Sequence, residues 1–262
     1  MRNAIRHVSL LLMLAVLAGC GSGGLGGGGS MSLDQEWQLG QQMAQEVSGQ
    51  VHLVNDPQAL AYITEVGERI HRATPIADRP FHFYIVQDPA VNAFSLPGGH
   101  IYINTGLIAQ ADKADMLAGV MAHEISHVVA RHVVKQIEQQ QGISLLGSIL
   151  LGQNPSALQT LLAQIVAGGA MARFSRADEK QADDLGLQFM TAAGYDPHGM
   201  LDMFQKLLSM EQGGTSAVAA FFQDHPGTQD RINDISKRIA AMGNTRGIVD
   251  EPQYQTIRRR VS

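Results

Sequence analysis

The sequence predicts an α+β fold, mainly α, in which one apolar helix is packed by a small antiparallel sheet. Three observations predict it. Apolar residues recur at helical spacing, as at Leu60, Ile63, Val66 and Ile70. Short apolar runs flank a Pro97-Gly98-Gly99 turn, which is a hairpin pattern. Aromatics make up only 5% of the 262 residues while methionines number 12, a composition that suits a helical core.

The elements follow in order. Arg2 and Arg6 precede an apolar run from Val8 to Ala18. At about 11 residues this run is too short to cross ~30 Å of hydrocarbon as a helix. It ends in Leu17-Ala18-Gly19-Cys20, which looks like a bacterial lipobox. Residues 1–19 therefore read as a lipoprotein signal peptide, and Cys20 as the lipid-bearing residue. Cys20 is the only cysteine, so an intramolecular disulfide and a cysteine nucleophile are both excluded. Residues 20–31 are Gly-rich and read as a tether; ten such residues span about 17 Å on average. Residue 21 is Gly rather than Asp, which leaves the periplasmic face of the outer membrane as the expected location. Without Arg2 and Arg6, 17 Lys+Arg (19 − 2) face 24 Asp+Glu, a net charge of −7, and no basic stripe suggests nucleic acid.

The body is read as one domain over residues 32–245. Ser32 with Gln35 has the form of a capping box opening a helix to about Ser48. Asp56-Pro57 opens a second helix. Phe81 to Gln87 alternates like a strand, and Ala93–Leu96 with His100–Asn104 forms the hairpin. A helical pattern resumes near Thr105 and again from Asp112 to about Gln140. Residues 142–172 are apolar and Gly-rich, broken at Gly152 to Pro155. They predict a pair of helices beside the 112–140 helix, with a mobile lid as an alternative and a membrane span as the minor reading. Helical stretches at 178–193, 197–210 and 228–242 complete the body, and 246–262, with Arg258-Arg259-Arg260, reads as a solvated tail.

The chemistry centres on His123-Glu124-Ile125-Ser126-His127. On a helix, His123 and His127 sit one turn apart on one face and can bind one Zn²⁺ per chain. Glu124 lies beside them, placed to take a proton from a water activated by that metal. Met116, Leu117, Val120, Val128, Val129 and Val133 make the surrounding helix too apolar to be fully exposed. Unpaired polar groups on such a helix cost ~1–3 kcal/mol each, and a metal removes that cost. Ala130 and Val133 stand where a metzincin carries a glycine and a third histidine, which excludes that class. His132 lies about 140° around a continuous helix from His127 and is expected to point away from the metal. Glu179 and Asp183, at i and i+4, are the candidates for third ligand and for the acceptor of the free ring N–H of His123 or His127. A solvated charged patch is the other reading of this stretch.

His-Glu-Ile-Ser-His, then Ser175-Arg176 before Glu179-x-x-Ala182-Asp183, then His225-Pro226 with Arg231, together resemble one family. It is the zinc peptidase family of HtpX, the CAAX prenyl protease and the periplasmic lipoprotein proteases LoiP and BepA. The resemblance covers most of residues 32–242. It implies a gluzincin-type metallopeptidase with Glu179 as third ligand and Asp183 behind the ligands. Asn92-Ala93-Phe94 before the Pro-Gly-Gly hairpin looks like the family's active-site sheet edge. The chain has neither the multi-span membrane region nor the repeat extension of some relatives, so the short lipoprotein layout of LoiP fits best. The implied function is endoproteolysis of misfolded or outer-membrane proteins in the bacterial envelope, near the outer-membrane assembly machinery. Glu124 would be the general base. His225 would either stabilise the oxyanion or cap the zinc, and Arg231 would assist electrostatically or lie on a helix surface. The contrasting reading is a zinc-containing, chaperone-like binding protein with latent or no peptidase activity.

Overall fold

The computed structural model describes residues 30–166, 173–227, 229–243 and 245–261. The expected signal peptide, Cys20 and most of the tether lie outside the described residues.

The first helix, α1 (Leu33–Ser48), opens with the expected capping box: Gln35 N donates to Ser32 Oγ, and Ser32 N donates to Gln35 Oε1. Asp56 caps α2 (Pro57–His71), with Pro57 in the first turn where its missing N–H costs nothing. Three strands follow: β1 (His82–Val86), β2 (Ala93–Leu96) and β3 (His100–Asn104). The β2–β3 hairpin is antiparallel as expected, and its turn uses Gly98 and Gly99 at φ 74° and 81°, conformations that favour glycine. The sheet as a whole is mixed rather than antiparallel. β3 lies in the centre and pairs in parallel with β1, and β1 and β2 are the two outer strands. The connection over residues 87–92 returns the chain past β3's position, so β1 and β3 run the same way.

Period-two alternation sorts the sheet's side chains between two apolar layers. Phe83, Ile85, Ala93, Ile101 and Ile103 face the main core with α2 and the helix after the sheet. Phe94, Leu96 and Tyr102 face a second core against α1. That face carries an aromatic ladder, with Tyr102 stacked between Tyr84 at 4.5 Å and Phe94 at 4.8 Å.

After α3 (Thr105–Gln110), the sequence pattern over 112–140 resolves into two helices rather than one, α4 (Ala114–Val129) and α5 (His132–Gln141). α4 is buried along nearly its whole length, which is why its apolar residues occupy every face. The break is at Arg131, whose φ of 61° and ψ of 34° are left-handed. That conformation costs roughly 1–2 kcal/mol for a residue with a Cβ. Arg131 is held in it by a 2.5 Å bond from Nε to Glu36 Oε2 and by a bond to the Met31 carbonyl.

The described part of the 142–172 segment, residues 142–166, forms two helices, α6 (Ile143–Leu150) and α7 (Pro155–Val166). Both pack on α1, and α6 also packs on α5, the C-terminal part of the expected 112–140 helix. Leu146, Ile149, Leu158, Leu161 and Leu162 belong to the second core over the sheet. No helix among the described residues is long and apolar enough to cross a membrane.

The remaining helices are α8 (Arg176–Ala192), α9 (His198–Gln212), α10 (Ala219–Asp224), α11 (Gln229–Met242) and α12 (Pro252–Val261). α8 and α9 pack tightly on α4. At the α4–α9 crossing a Cβ on Gly119 would lie 2.7 Å from Met200 Cα, so only glycine permits this approach. The expected solvated tail is instead α12, docked on α2 and α3. Tyr254, Ile257 and Val261 are buried, and Arg258 and Arg260 pair with Asp112 and Asp56. An apolar i, i+3, i+7 stripe hidden among polar residues gave this helix a face to bury.

Candidate metal centre

The site is assembled from three places in the chain. α4 supplies His123 and His127, whose Nε2 atoms lie 3.0 Å apart. α8 supplies Glu179 and Asp183 from one face. It can approach α4 closely because Ala182 and Gly186 lie at the contact, where a Cβ on Gly186 would sit 3.2 Å from His123 N. The end of α10 supplies His225, whose Nδ1 is 3.2 Å from His123 Nε2 and 3.1 Å from Glu179 Oε1. Glu179 also reaches His127 Nε2 and His123 Nε2, each at 3.5 Å.

These four residues offer ligand atoms that all lie within 4.8 Å of one another. A tetrahedral ion bound at about 2.0–2.1 Å has ligand-to-ligand edges of roughly 3.3–3.4 Å. Separations of 3.0–3.5 Å from His123 Nε2 to the other two rings and from the two Glu179 oxygens to the histidines come near those edges, within a donor set that spreads over up to 4.8 Å. Three imidazole nitrogens and a carboxylate oxygen turned inward share one unmet need, a cation. The donor set therefore fits a borderline-soft divalent metal.

Behind the inward-facing atoms, Asp183 Oδ1 lies 3.0 Å from His123 Nδ1, which selects His123 rather than His127 as its partner. Arg231 grips Asp183 with Nη2 at 2.6 Å and Nε at 2.8 Å, and it also contacts Glu179. Arg231, its side chain only 10% exposed, is thus a member of the site and no surface cation. His132, expected to point away, does stay outside the converging group. However, the break at Arg131 turns it back, and its Nδ1 lies 2.9 Å from His127 Nδ1.

The centre is shut off from solvent: His123, Glu124, His127 and Glu179 are 0% exposed and His225 is 1% exposed. Phe174 stacks on His127 at 3.9 Å, Phe204 meets His123 edge-on at 5.7 Å, and Phe221 lies 5.1 Å from His225. Burial pushes the Glu124 carboxyl up against the opposing pull of His225 and His123. Burial would do the same to Glu179, but His225 and Arg231 hold it well below the ordinary carboxylate range. Among the described residues the Glu124 oxygens make no close hydrogen bond; His225 Nε2 lies 3.3 Å from Oε1, and the Ser95 hydroxyl is a weaker neighbour that favours the charged form. A buried carboxylate with free lone pairs beside a cation site is equipped to accept a proton.

Sequence reasoning missed Phe174 and Asp224. Asp224 Oδ2 accepts from Asn92 Nδ2 at 3.1 Å, and its carbonyl accepts from Phe174 N at 3.2 Å. It thereby ties the start of β2, the segment before α8 and the His225 loop together. Their adjacency to Ser175 and His225 was the only signal in the sequence.

Comparison with known proteins agrees with this geometry. The beta-barrel assembly-enhancing protease of Escherichia coli K12 is 33% identical over 228 residues, covering 84% of this chain and 47% of that protein. Its namesake in Yersinia pestis is 32% identical over the same length. The mitochondrial metalloendopeptidase OMA1 of Schizosaccharomyces pombe is 30% identical over 211 residues, covering 79% of this chain and 62% of that protein. The chain spans about half the length of these bacterial relatives. Residues 57–239, which hold every member of the buried centre, match the family described as Peptidase family M48. With a metal-competent centre inside the matched region and metalloendopeptidases among its relatives, the chain belongs to Peptidase family M48, a family of metallopeptidases.

Proposed function

We propose that the protein is a zinc-dependent endopeptidase of the bacterial envelope, tethered through lipidated Cys20 and acting on misfolded or outer-membrane polypeptides. The observation that carries the reading is the fully buried Glu124 carboxylate beside the convergent His123, His127 and Glu179 donors. The location and substrate class draw on the lipobox pattern and on the bacterial relatives named for β-barrel assembly.

His123, His127 and Glu179 would hold the zinc, which supplies Lewis acidity toward a carbonyl oxygen and toward water. Glu124 takes the proton of the attacking water and passes it to the leaving amine. The aromatic walls exclude bulk water and strengthen these charge interactions. Asp183, braced by Arg231, orients His123. The edge strand β2 can receive an extended peptide by adding a strand to the sheet.

His225 fills the fourth corner of the donor group and faces Glu124 with its other nitrogen. That placement supports a capped resting form, in which the ring must withdraw before substrate enters. Once withdrawn, the same ring can donate to the developing oxyanion, an interaction worth ~2.7–4 kcal/mol at comparable sites.

The test is Glu124→Gln in purified protein with casein as an unfolded substrate. Zinc content should be retained and cleavage abolished. Undiminished cleavage would sink the assignment. Zinc binding without turnover in the wild type, even after His225 is removed, would favour the chaperone-like reading.

A further inference from the structure

We propose that His132 is a positioning residue for the metal centre: it accepts a hydrogen bond from His127 Nδ1 and so fixes His127 with Nε2 toward the metal. The proposal rests on the metal-site reading above.

A histidine that ligates through Nε2 must carry its proton on Nδ1, and something must accept that proton. For His123 the acceptor is the carboxylate of Asp183. The Nδ1 of His127 instead faces His132 Nδ1 at 2.9 Å. Two imidazole nitrogens can form a bond only if one is protonated and the other bare. Ligation puts the proton on His127, so His132 must be bare at Nδ1 and protonated at Nε2. That second nitrogen has acceptors waiting, Gln181 Oε1 at 3.2 Å and Asp178 Oδ1 at 3.5 Å. Each ring is thereby confined to one tautomer, and the chain of donors runs outward from His127 to α8.

The backbone shows what this arrangement costs. Had α4 continued unbroken, His132 would point away from His127. Arg131 is the one non-glycine with positive φ among the described residues, and it directly precedes His132. Strain at one residue, held in place by Glu36 and the Met31 carbonyl, brings the ring back to the metal ligand. His132 is itself 2% exposed, so its two ring nitrogens depend on these partners.

Two ligands thus have different supports, an anionic carboxylate for His123 and a neutral imidazole for His127. The experiment measures Zn²⁺ affinity of the full chain by chelator competition for wild type, His127→Ala, His132→Leu and His132→Asn. His132→Leu fills the space without an acceptor and should weaken Zn²⁺ binding about 10–100-fold. His132→Asn returns an acceptor oxygen near the same point and should recover most of that loss. In ¹⁵N-labelled, zinc-loaded wild type, scalar coupling across the N–H···N bond should connect Nδ1 of His127 with Nδ1 of His132. This reading uses the unaltered protein, so poor folding of the leucine variant leaves it decisive. Absence of the coupling, or wild-type affinity in a folded His132→Leu, overturns the proposal while the metal site stands. Wild-type affinity in His127→Ala overturns the metal-site reading, and the proposal with it.

Discussion

His225 Nε2 lies 3.3 Å from Glu124 Oε1, while the Nδ1 of the same ring lies 3.1 Å from Glu179 Oε1. One side chain therefore touches the proposed base and completes the donor group. His225→Ala should open the fourth position and raise the basal rate of casein cleavage several-fold. Zinc content should remain near one per chain, because three ligands suffice for a catalytic site. A fall in rate would instead make oxyanion stabilisation the dominant role of the ring.

Arg231 neutralises two buried carboxylates at once, Asp183 and Glu179. Arg231→Met keeps the side chain's bulk and removes the charge. Breaking a buried pair from one side costs on the order of 3–5 kcal/mol, so the metal-free variant should unfold at markedly lower urea. Asp183→Asn should be milder in stability but should still weaken zinc binding, since it replaces the anionic acceptor behind His123 with a neutral amide oxygen. Urea titration and chelator competition separate the two effects.

Asp115 carries a different kind of strain. It is 2% exposed, its Oδ1 has no hydrogen-bond partner among the described residues, and burial pushes its carboxyl up to about 7. An unfolded aspartate titrates near 3.9, so between these values the folded state holds the extra proton. Stability should therefore be greatest at the acid end of this window and decline as pH rises through about 7. The slope from this group is at most about 1.4 kcal/mol per pH unit. Asp115→Asn should flatten that dependence and be more stable than wild type above neutrality. Urea midpoints across the window check it, and an unchanged slope in the variant would refute it.

Tyr254 anchors the last helix. Its ring is fully buried and its hydroxyl lies 2.8 Å from the Ala111 carbonyl. Tyr254→Ala should cost on the order of 3–5 kcal/mol, the range for deleting a buried aromatic side chain. A solvated tail would tolerate the change, so thermal unfolding distinguishes the two descriptions directly.

Much of this fold is legible locally. The Ser32/Gln35 capping box, the Asp56-Pro57 start and the Pro97-Gly98-Gly99 hairpin all follow from side chains acting within four residues of themselves. The His123/His127 pair and the Glu179/Asp183 pair were legible for the same reason, because helical spacing alone puts each pair on one face. That His132 lies outside the donor group follows from helical spacing, but its contact with His127 does not, because it depends on a left-handed residue at Arg131 held by Glu36 of α1 and the Met31 carbonyl. The parallel pairing of β1 with β3 and the docking of α12 were likewise invisible, since each is settled by partners far away in sequence.

By itself, the sequence determined the chemical inventory: two histidines and a glutamate on one buried helix, two carboxylates on another, and a histidine before Pro226. Which of these meet was decided by tertiary structure. Close helix approach at Ala182 and Gly186 brought Glu179 to the histidines, the end of α10 delivered His225 into the same cage, and the turn at Arg131 set His132 behind His127. Local spacing fixes the face a residue presents, but convergence of faces from three distant segments depends on packing, whose energy belongs to no single stretch of chain.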